Sequence, residues 1–330
     1  MGVFGAVTGL GAAVGPMLGG VLTEYLGWRA VFFPNIPLVL VTVVLSLRVL
    51  EPGRRQAAAR LDPPGMAAFA GCAGSLSYAV TLAGTDGWVS PSVLGLLGLS
   101  ALALLAFCRI ELGAAAPLLD VRLFARASFS AVMLCVLSST AAFAALVYTS
   151  VWLQSGLGLG PVRAGLALTP LALASFATSL ISGRRLHGRS PRVVLATGLG
   201  LSGLGCALQA GLDAGSSAAS LAVGLAVTGI GVGLLGPAMG AAVFAALPPE
   251  RGGMAAGAMT TFRQLGQTLG VAVLGVVFQR GGTANAGLNR VLVAAAVAAG
   301  VGAVLAWALV PSSAPRKRPA AADRDVTAAR

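Results

Sequence analysis

Ten long, uninterrupted apolar stretches dominate this sequence of 330 residues. They cover approximately residues 3–22, 30–47, 65–83, 92–107, 129–153, 164–183, 193–211, 218–241, 255–278 and 288–310. A helix needs about 20 apolar residues to cross a bilayer core about 30 Å thick. Backbone groups in lipid must bond internally, and the stretches are continuous rather than alternating, which does not fit a β-barrel. We therefore predict an all-α polytopic membrane protein with ten transmembrane helices.

The small number of charged residues supports this prediction. Hydrophobic residues make up 57% of the chain and charged residues 10%, whereas a soluble domain carries about 25% charged residues. So few charges cannot cover a globular surface, and the same composition excludes a disordered chain. The acidic residues fall between the stretches or in the tail, because charge is expensive in lipid. They are Glu24, Glu51, Asp62, Asp86, Glu111, Asp120, Asp213, Glu250, Asp323 and Asp325.

The basic residues predict the orientation of the chain in the membrane. Seventeen of them lie on the side of the connector 48–63 and four on the other side, while Arg263 lies near the start of the ninth stretch. Cytoplasmic loops carry the excess of Lys and Arg, so both termini are predicted to be cytoplasmic, in a bacterial inner membrane. The net charge of +12 is then mainly a topology signal. No soluble module with a basic face is present, which argues against a nucleic-acid partner.

Other residue types give no sign of catalysis or of metal binding. Cys72, Cys108, Cys135 and Cys206 lie within or at the end of apolar stretches and form no CxxC pair, so neither a disulfide framework nor a metal site is predicted. The sequence has no phosphate-binding loop, no activated nucleophile and no dinucleotide fingerprint. We predict a protein that is not an enzyme and holds no cofactor.

The first apolar stretch carries glycines at a spacing of four residues. Gly11, Gly15 and Gly19 lie on one face of a helix, and Gly20 follows. Small residues at this spacing let another helix approach closely. Pro16 removes a backbone hydrogen bond, which bends a helix. The spacing alone predicts a close-packing face such as many membrane helices have.

The whole string from Gly11 to Gly20 resembles the antiporter signature of the major facilitator superfamily, which lies on the fifth helix of its drug:proton antiporters. Further segments resemble the fourteen-span branch of that family, in the same order along the chain. These segments are 27–37, 61–65, 117–124, 158–170, 248–252 and 262–267. The resemblance covers nearly the whole chain, and it implies a major-facilitator type bundle that transports small molecules together with protons.

The register of the resemblance divides the chain into four parts. Residues 1–48 correspond to the last two helices of the N-terminal bundle, and 49–112 to two linking helices with cytoplasmic loops. Residues 113–310 correspond to a complete C-terminal six-helix bundle, and 311–330 form a disordered basic cytoplasmic tail. The resemblance implies that the family's first four helices are absent. In the family these helices carry an embedded acidic residue assigned to proton coupling.

Few polar residues lie within the stretches, and these are the candidates for a substrate cavity. Arg263, Gln264 and Gln267 are the strongest, since the two glutamines are three residues apart on one helix face. Tyr148 and Tyr78 complete the predicted set. The same residue types also serve helix packing and interfacial belts in membrane proteins, so both roles stay open.

An arginine-rich loop follows the sixth stretch. It contains Gly183, Arg184, Arg185, Arg189 and Arg192, and it resembles a degenerate second copy of the family's cytoplasmic loop motif. A glycine stands where full copies of the motif carry Asp before the Arg. A gate element and a cluster that only sets topology therefore both remain open. His187, the only histidine, lies in this loop and is predicted to be exposed.

The resemblance implies proton-coupled efflux of drugs or other small amphipathic or cationic compounds by alternating access between two bundles. The partners would be the lipid bilayer, a small-molecule substrate and protons, with the proton gradient as energy source. Three alternatives remain: an N-terminally truncated fragment without independent transport, a metabolite uptake carrier of the same fold, and a membrane assembly partner. The antiporter signature argues against uptake.

Overall fold

A computed structural model describes residues 2–49, 62–114, 117, 119–185, 189–213, 215–245 and 252–312, and its regular elements are all helical. The α-helices are α1 (Gly2–Leu26), α2 (Asn35–Val49), α3 (Pro63–Asp86), α4 (Pro91–Gly113), α5 (Ala127–Phe143), α6 (Ala145–Val151), α7 (Pro161–Ala167), α8 (Thr169–Arg185), α9 (Pro191–Gln209), α10 (Ala222–Ala245), α11 (Gly252–Gln279) and α12 (Ala284–Leu309). Short 3₁₀ helices span Trp28–Phe32, Val121–Ala125 and Ala218–Leu221, and a π-helical segment spans Trp152–Gly156. The basic connector 50–61, His187 and the predicted disordered tail from 313 onwards lie outside the described residues.

Each of the ten predicted stretches coincides with a helical segment of the described chain. Two segments are interrupted: α5 and α6 are separated by Ala144, and α7 and α8 meet at a bend of 42°. Seven segments in the described residues are long and apolar enough to cross a membrane, and the bent pair makes an eighth. α1 and α11 fall outside this set; in α11 the polar residues Arg263, Gln264 and Gln267 lower the mean hydropathy. The prediction of an all-α polytopic membrane protein is confirmed.

Short side chains and prolines determine where several helices begin. Asp62 Oδ1 accepts a hydrogen bond from the Gly65 amide at 3.0 Å, and Ser90 and Thr283 cap α4 and α12 in the same way. Such caps satisfy amides that have no partner within the first turn. Proline occupies the first turn of α3, α4, α7 and α9, where the amide it lacks would have had no helical partner.

The helices extend beyond the apolar stretches, and this corrects the predicted position of one acidic residue. Glu111 lies in the last turn of α4, not in a connector, and it is 3% exposed. Its Oε2 accepts a hydrogen bond from the Leu119 amide at 3.2 Å, so the carboxylate binds a backbone amide beyond the end of the helix. A methyl group on Gly65 would lie 2.5 Å from Asp62 Oδ2 and 3.0 Å from Glu111 Oε1. The two carboxyl groups therefore lie side by side where α3 begins.

The helices from α5 onwards pack into one bundle. α10 packs against α8 and α9, α12 against α5 and α9, and α11 against α5. Phe129, Met133, Leu195 and Leu199 belong to one buried cluster in this bundle, and Trp152 belongs to another. α3 and α4 form a pair that contacts α11, and α1 packs on α7 and α8. α2 buries none of its residues in the described chain.

Glycines on α10 let two neighbouring helices approach its backbone closely. A methyl group on Gly231 would lie 2.5 Å from the Gly198 carbonyl oxygen of α9. One on Gly233 would lie 2.5 Å from the Ser175 carbonyl oxygen of α8. In membrane bundles such contacts supply packing energy that the hydrophobic effect does not. Sequence reasoning looked for this property on the first stretch, whereas the structure places it mainly on α10.

Candidate functional site

Three of the five predicted cavity residues form a polar strip on α11. Arg263 and Gln264 are exposed and Gln267 is half-buried. Their spacing makes them neighbours on the helix surface. The strip runs beside the face of α11 that packs on α5, where a methyl group on Gly270 would lie 2.7 Å from the Ala141 Cα. The strip is rigidly placed, because its helix is fixed by this close contact.

The two predicted cavity tyrosines lie apart from this strip. Tyr148, on α6, donates a hydrogen bond to the Val271 carbonyl oxygen of α11, and its ring lies 5.4 Å from that of Phe278. These contacts join α6 to α11, which is a packing role. Tyr78, on α3, is 60% exposed. The five residues line neither of the two cavities described below, so a shared substrate cavity stays a prediction and the α11 strip is its strongest part.

The predicted close-packing face of α1 is found at a different residue. A methyl group on Gly11, Gly15 or Gly19 would meet nothing within 4 Å in the described residues, so a close approach at these three positions stays a prediction. One on Gly20, which is buried, would lie 2.6 Å from the Pro161 carbonyl oxygen. The reason is the rotation of the helix: α1 meets α7 through the face that contains Gly20. The Pro16 side chain lies outside the described part of the structure, and α1 continues through this position as one helix.

Glu24 strengthens the contact between α1 and α7. Glu24 lies four residues after Gly20, so it is on the same face of α1. Its Oε2 accepts a hydrogen bond from the Val162 amide at 2.8 Å, in the first turn of α7. The carboxylate therefore accepts a hydrogen bond from an amide that has no partner within its own helix. Beside the contact is a cleft of about 200 Å³, whose lining includes Thr23 and Gln154.

Substituting Gly20 is expected to loosen this contact. In Gly20→Ala the new methyl group collides with backbone of Pro161 and Val162, so α1 must move away and the hydrogen bond to Glu24 lengthens. We expect faster hydrogen exchange at the Val162 amide. The matched control is Gly19→Ala, because a methyl group added there would meet no described atom within 4 Å. This variant should leave the exchange rate unchanged. Equal rates in both variants would contradict this account of the contact.

The arginine-rich loop is only partly described. The side chains at 183–185 and the whole of 186–188 lie outside the described part of the structure. Arg189 is exposed. The Arg192 guanidinium lies 4.6 Å from the ring centre of Trp307, a cation–π contact between the start of α9 and the end of α12. Arg192 thus joins two helices, while a gating role for the loop stays a prediction.

Two asparagines near the start of α12 hold the connector between α9 and α10, a feature that sequence reasoning missed. Asn289 Oδ1 accepts hydrogen bonds from the Gly211 and Leu212 amides at 3.0 and 2.9 Å, and its Nδ2 donates to the Leu212 carbonyl oxygen at 2.8 Å. Asn285, one turn earlier, accepts from Trp152 Nε1 at 2.6 Å and donates to the carbonyl oxygen of residue 213 at 2.8 Å. We call this set of contacts the asparagine clamp.

The same connector contains an acidic turn. Asp213 Oδ1 accepts hydrogen bonds from Ser216 Oγ at 2.9 Å and from the Gly215 amide at 3.0 Å. These bonds favour the ionised form and hold the pKa of the exposed Asp213 below its ordinary value. The stability that the turn contributes is therefore fully present above the pKa that Asp213 has in the unfolded chain. It is lost as the pH falls through the lower pKa that Asp213 has in the folded chain.

The fold defines a polytopic α-helical membrane protein, and sequence comparison gives its family. The sequence model of the Major Facilitator Superfamily matches residues 1–189 and also residues 131–329. The two matches together cover nearly the whole chain. The chain therefore belongs to the Major Facilitator Superfamily, whose members move small molecules across membranes.

Individual relatives are bacterial resistance and export proteins. The chain is 35% identical to the puromycin resistance protein pur8 of Streptomyces alboniger over 94% of its own length and 66% of the relative. It is 29% identical to the multidrug transporter protein MdtP of Bacillus subtilis, over 84% of the chain and 51% of the relative. It is 31% identical to the tetracenomycin C resistance and export protein of Streptomyces glaucescens, over 84% of the chain and 52% of the relative. The chain thus spans between half and two thirds of the length of these relatives.

Proposed function

We propose that this chain carries the second six-helix bundle, residues 113–310, of a bacterial exporter of small amphipathic or cationic molecules. The observation that carries the proposal is the function for which three relatives are named: puromycin resistance, multidrug transport, and tetracenomycin C resistance and export. Export by alternating access requires two bundles that move against each other around a site between them. The close contact of α1 with α7 and α8 supplies one surface at which such bundles meet.

The α11 strip is the proposed substrate-facing surface of this bundle. Arg263, Gln264 and Gln267 place one cation and two amides on a helix whose other residues are mostly apolar. Polar residues at membrane depth are expensive, and they mark substrate pathways in transporters. The amides can accept and donate hydrogen bonds to substrates of varied shape. We propose that the proton gradient supplies the energy and that no bound cofactor is needed.

We propose an inner-membrane location with both termini in the cytoplasm. The support is the excess of basic residues, seventeen against four, on the side that includes both the connector 48–63 and the tail. A green fluorescent protein joined after Arg330 should fluoresce, whereas alkaline phosphatase at the same position should be inactive. Active phosphatase together with a dark fluorescent fusion would reverse the proposed orientation.

Export is tested in a strain that lacks its own drug pumps. One culture expresses this chain alone, and a second expresses it joined to the part of the Streptomyces alboniger relative that has no counterpart here. We expect the joined protein to raise puromycin resistance and to lower cell-associated cationic dye. Gln264→Leu and Gln267→Leu should reduce both effects, while Gln279→Leu, at an exposed glutamine at the end of the same helix and outside the α11 strip, is the matched control. If neither culture differs from empty-vector cells, the proposed function is overturned.

A further inference from the structure

A small cavity inside the second bundle borders the break between α5 and α6. Residues on both sides of the break line it, among them Ala142 and Ala145. Gln209, at the end of α9, and Thr228, on α10, form part of the opposite wall. Its volume is about 20 Å³, and a cavity of about 10–15 Å³ on this measure is enough for one water molecule. The cavity is therefore of the size of a water molecule, too small for a drug-like substrate.

The orientation of the Gln209 amide is fixed by its neighbours. Gln209 is 3% exposed, and its Nε2 lies 3.0 Å from the Gly205 carbonyl oxygen and 3.1 Å from Thr228 Oγ1. A carbonyl oxygen can only accept a hydrogen bond, so the amide nitrogen must face Gly205. Gln209 Oε1 then points the other way, and it has no hydrogen-bond partner within the described chain. An unpaired buried acceptor destabilises the folded chain, so this oxygen needs a donor.

Two hydroxyl groups in the cavity wall, those of Thr149 and Ser202, donate their protons elsewhere but can still accept a hydrogen bond. Thr149 Oγ1 donates to the Ala145 carbonyl oxygen at 3.2 Å, and Ser202 Oγ donates to the Gly198 carbonyl oxygen at 2.9 Å. Each hydroxyl has one proton, so its lone pairs remain as acceptors. The wall thus offers an amide oxygen and two hydroxyl oxygens. A molecule with two donated protons matches this set.

We propose that this cavity is a binding site for one ordered water molecule. The water donates one hydrogen bond to Gln209 Oε1 and the other to the hydroxyl oxygen of Thr149 or Ser202. Irregular backbone at membrane depth is tolerated where it borders water or protein, and the site lies against the interruption at Ala144. The water accordingly lies beside the break of the α5–α6 segment. This proposal is independent of any transported substrate.

Two buried cysteines provide an internal comparison for the test. Cys206 lines the cavity and is 4% exposed, whereas Cys135 lies outside its wall and is 0% exposed. Both are free thiols. A brief X-ray pulse converts ordered water into hydroxyl radicals, which oxidise the nearest side chains. The intact chain in lipid nanodiscs is therefore irradiated in isotope-labelled water, and label uptake at each cysteine is measured by mass spectrometry.

We expect Cys206 to take up label several-fold faster than Cys135. Gln209→Leu removes the acceptor, and Ala145→Val reduces the volume from the other wall; each should lower the labelling of Cys206 to the level of Cys135. Gln154→Leu, at an exposed glutamine outside the cavity, should leave the ratio unchanged. A thermal melt shows which variants are folded. Two cavity variants are used, so that the test still stands if one of them does not fold. Equal labelling of the two cysteines in the unmodified chain, or an unchanged ratio in the folded cavity variants, overturns the proposal.

Discussion

Gly231→Ala is expected to destabilise the bundle formed by α5 to α12 by about 1–3 kcal/mol, which is the typical cost of overpacking a close contact. The new methyl group would lie 2.5 Å from the Gly198 carbonyl oxygen and 2.6 Å from the Ser202 amide nitrogen. Both are backbone atoms, so no side-chain rotation relieves the contact. α9 and α10 must move apart along their whole interface. The measurement is the thermal unfolding of the purified chain in detergent, where a lower melting temperature is expected.

A glycine on the same helix provides the matched control for this substitution. Gly240 has no atom within 4 Å of an added methyl group. Alanine is the better helix former, so Gly240→Ala should be neutral or stabilise the helix by as much as about 1 kcal/mol. The two variants have the same chemistry and opposite expected signs. A melting temperature that falls equally in both would show that the α9–α10 contact is not the cause.

Asn289→Ala is expected to cost about 2–3 kcal/mol, because it removes three hydrogen bonds that each contribute about 0.5–1.5 kcal/mol. The Gly211 and Leu212 amides lose their acceptor, and the Leu212 carbonyl oxygen loses its donor. Hydrogen exchange at these two amides should become much faster, together with a lower melting temperature. Of the asparagine clamp, only the bond from Asn285 to the carbonyl oxygen of residue 213 would then attach the connector to α12.

Asn289→Asp separates the two functions of this side chain. Aspartate keeps an oxygen that accepts from both amides and loses the donated bond to the Leu212 carbonyl oxygen. We expect the amides to remain protected and the stability loss to be smaller than in Asn289→Ala. If both variants leave amide exchange as it is in the unmodified chain, the asparagine clamp does not hold the connector.

The helices could be predicted from the sequence because their signal is continuous along the chain. Ten runs of about 20 apolar residues admit one kind of structure in lipid. The helix ends were less certain, because capping residues such as Asp62 and helix-end residues such as Glu111 extend a helix past its apolar part. That extension buried Glu111, a residue that hydropathy alone assigns to a loop.

Contacts between helices could not be predicted in the same way. The chain has 46 glycines, and the ones that touch a neighbour depend on how each helix is rotated about its axis. The regular spacing of Gly11, Gly15 and Gly19 drew the prediction to α1, but Gly20 and the glycines of α10 make the close contacts. The spacing shows that one face of a helix carries small residues, but it does not show that another helix packs against that face.

The polar contacts of the bundle had a weaker sequence signal. A tryptophan at the end of an apolar stretch, such as Trp152, is typical of an interfacial belt. The structure buries Trp152 completely and gives its Nε1 a partner in Asn285. Two asparagines four residues apart at the start of an apolar stretch were the available signal, since residues at that spacing share a helix face. Gln209 was among the polar residues within the stretches, but its orientation required the structure.

The proposed role of this chain, as one bundle of a proton-driven exporter, is tested most directly with inside-out membrane vesicles. These vesicles contain the chain joined to the part of its Streptomyces alboniger relative that has no counterpart in this sequence. In such vesicles the lumen corresponds to the cell exterior, so acidifying the lumen should drive a cationic dye inwards while protons leave. The predicted result is dye accumulation that follows the pH gradient and is abolished by a protonophore. Accumulation no greater than in vesicles without the protein would contradict the claim.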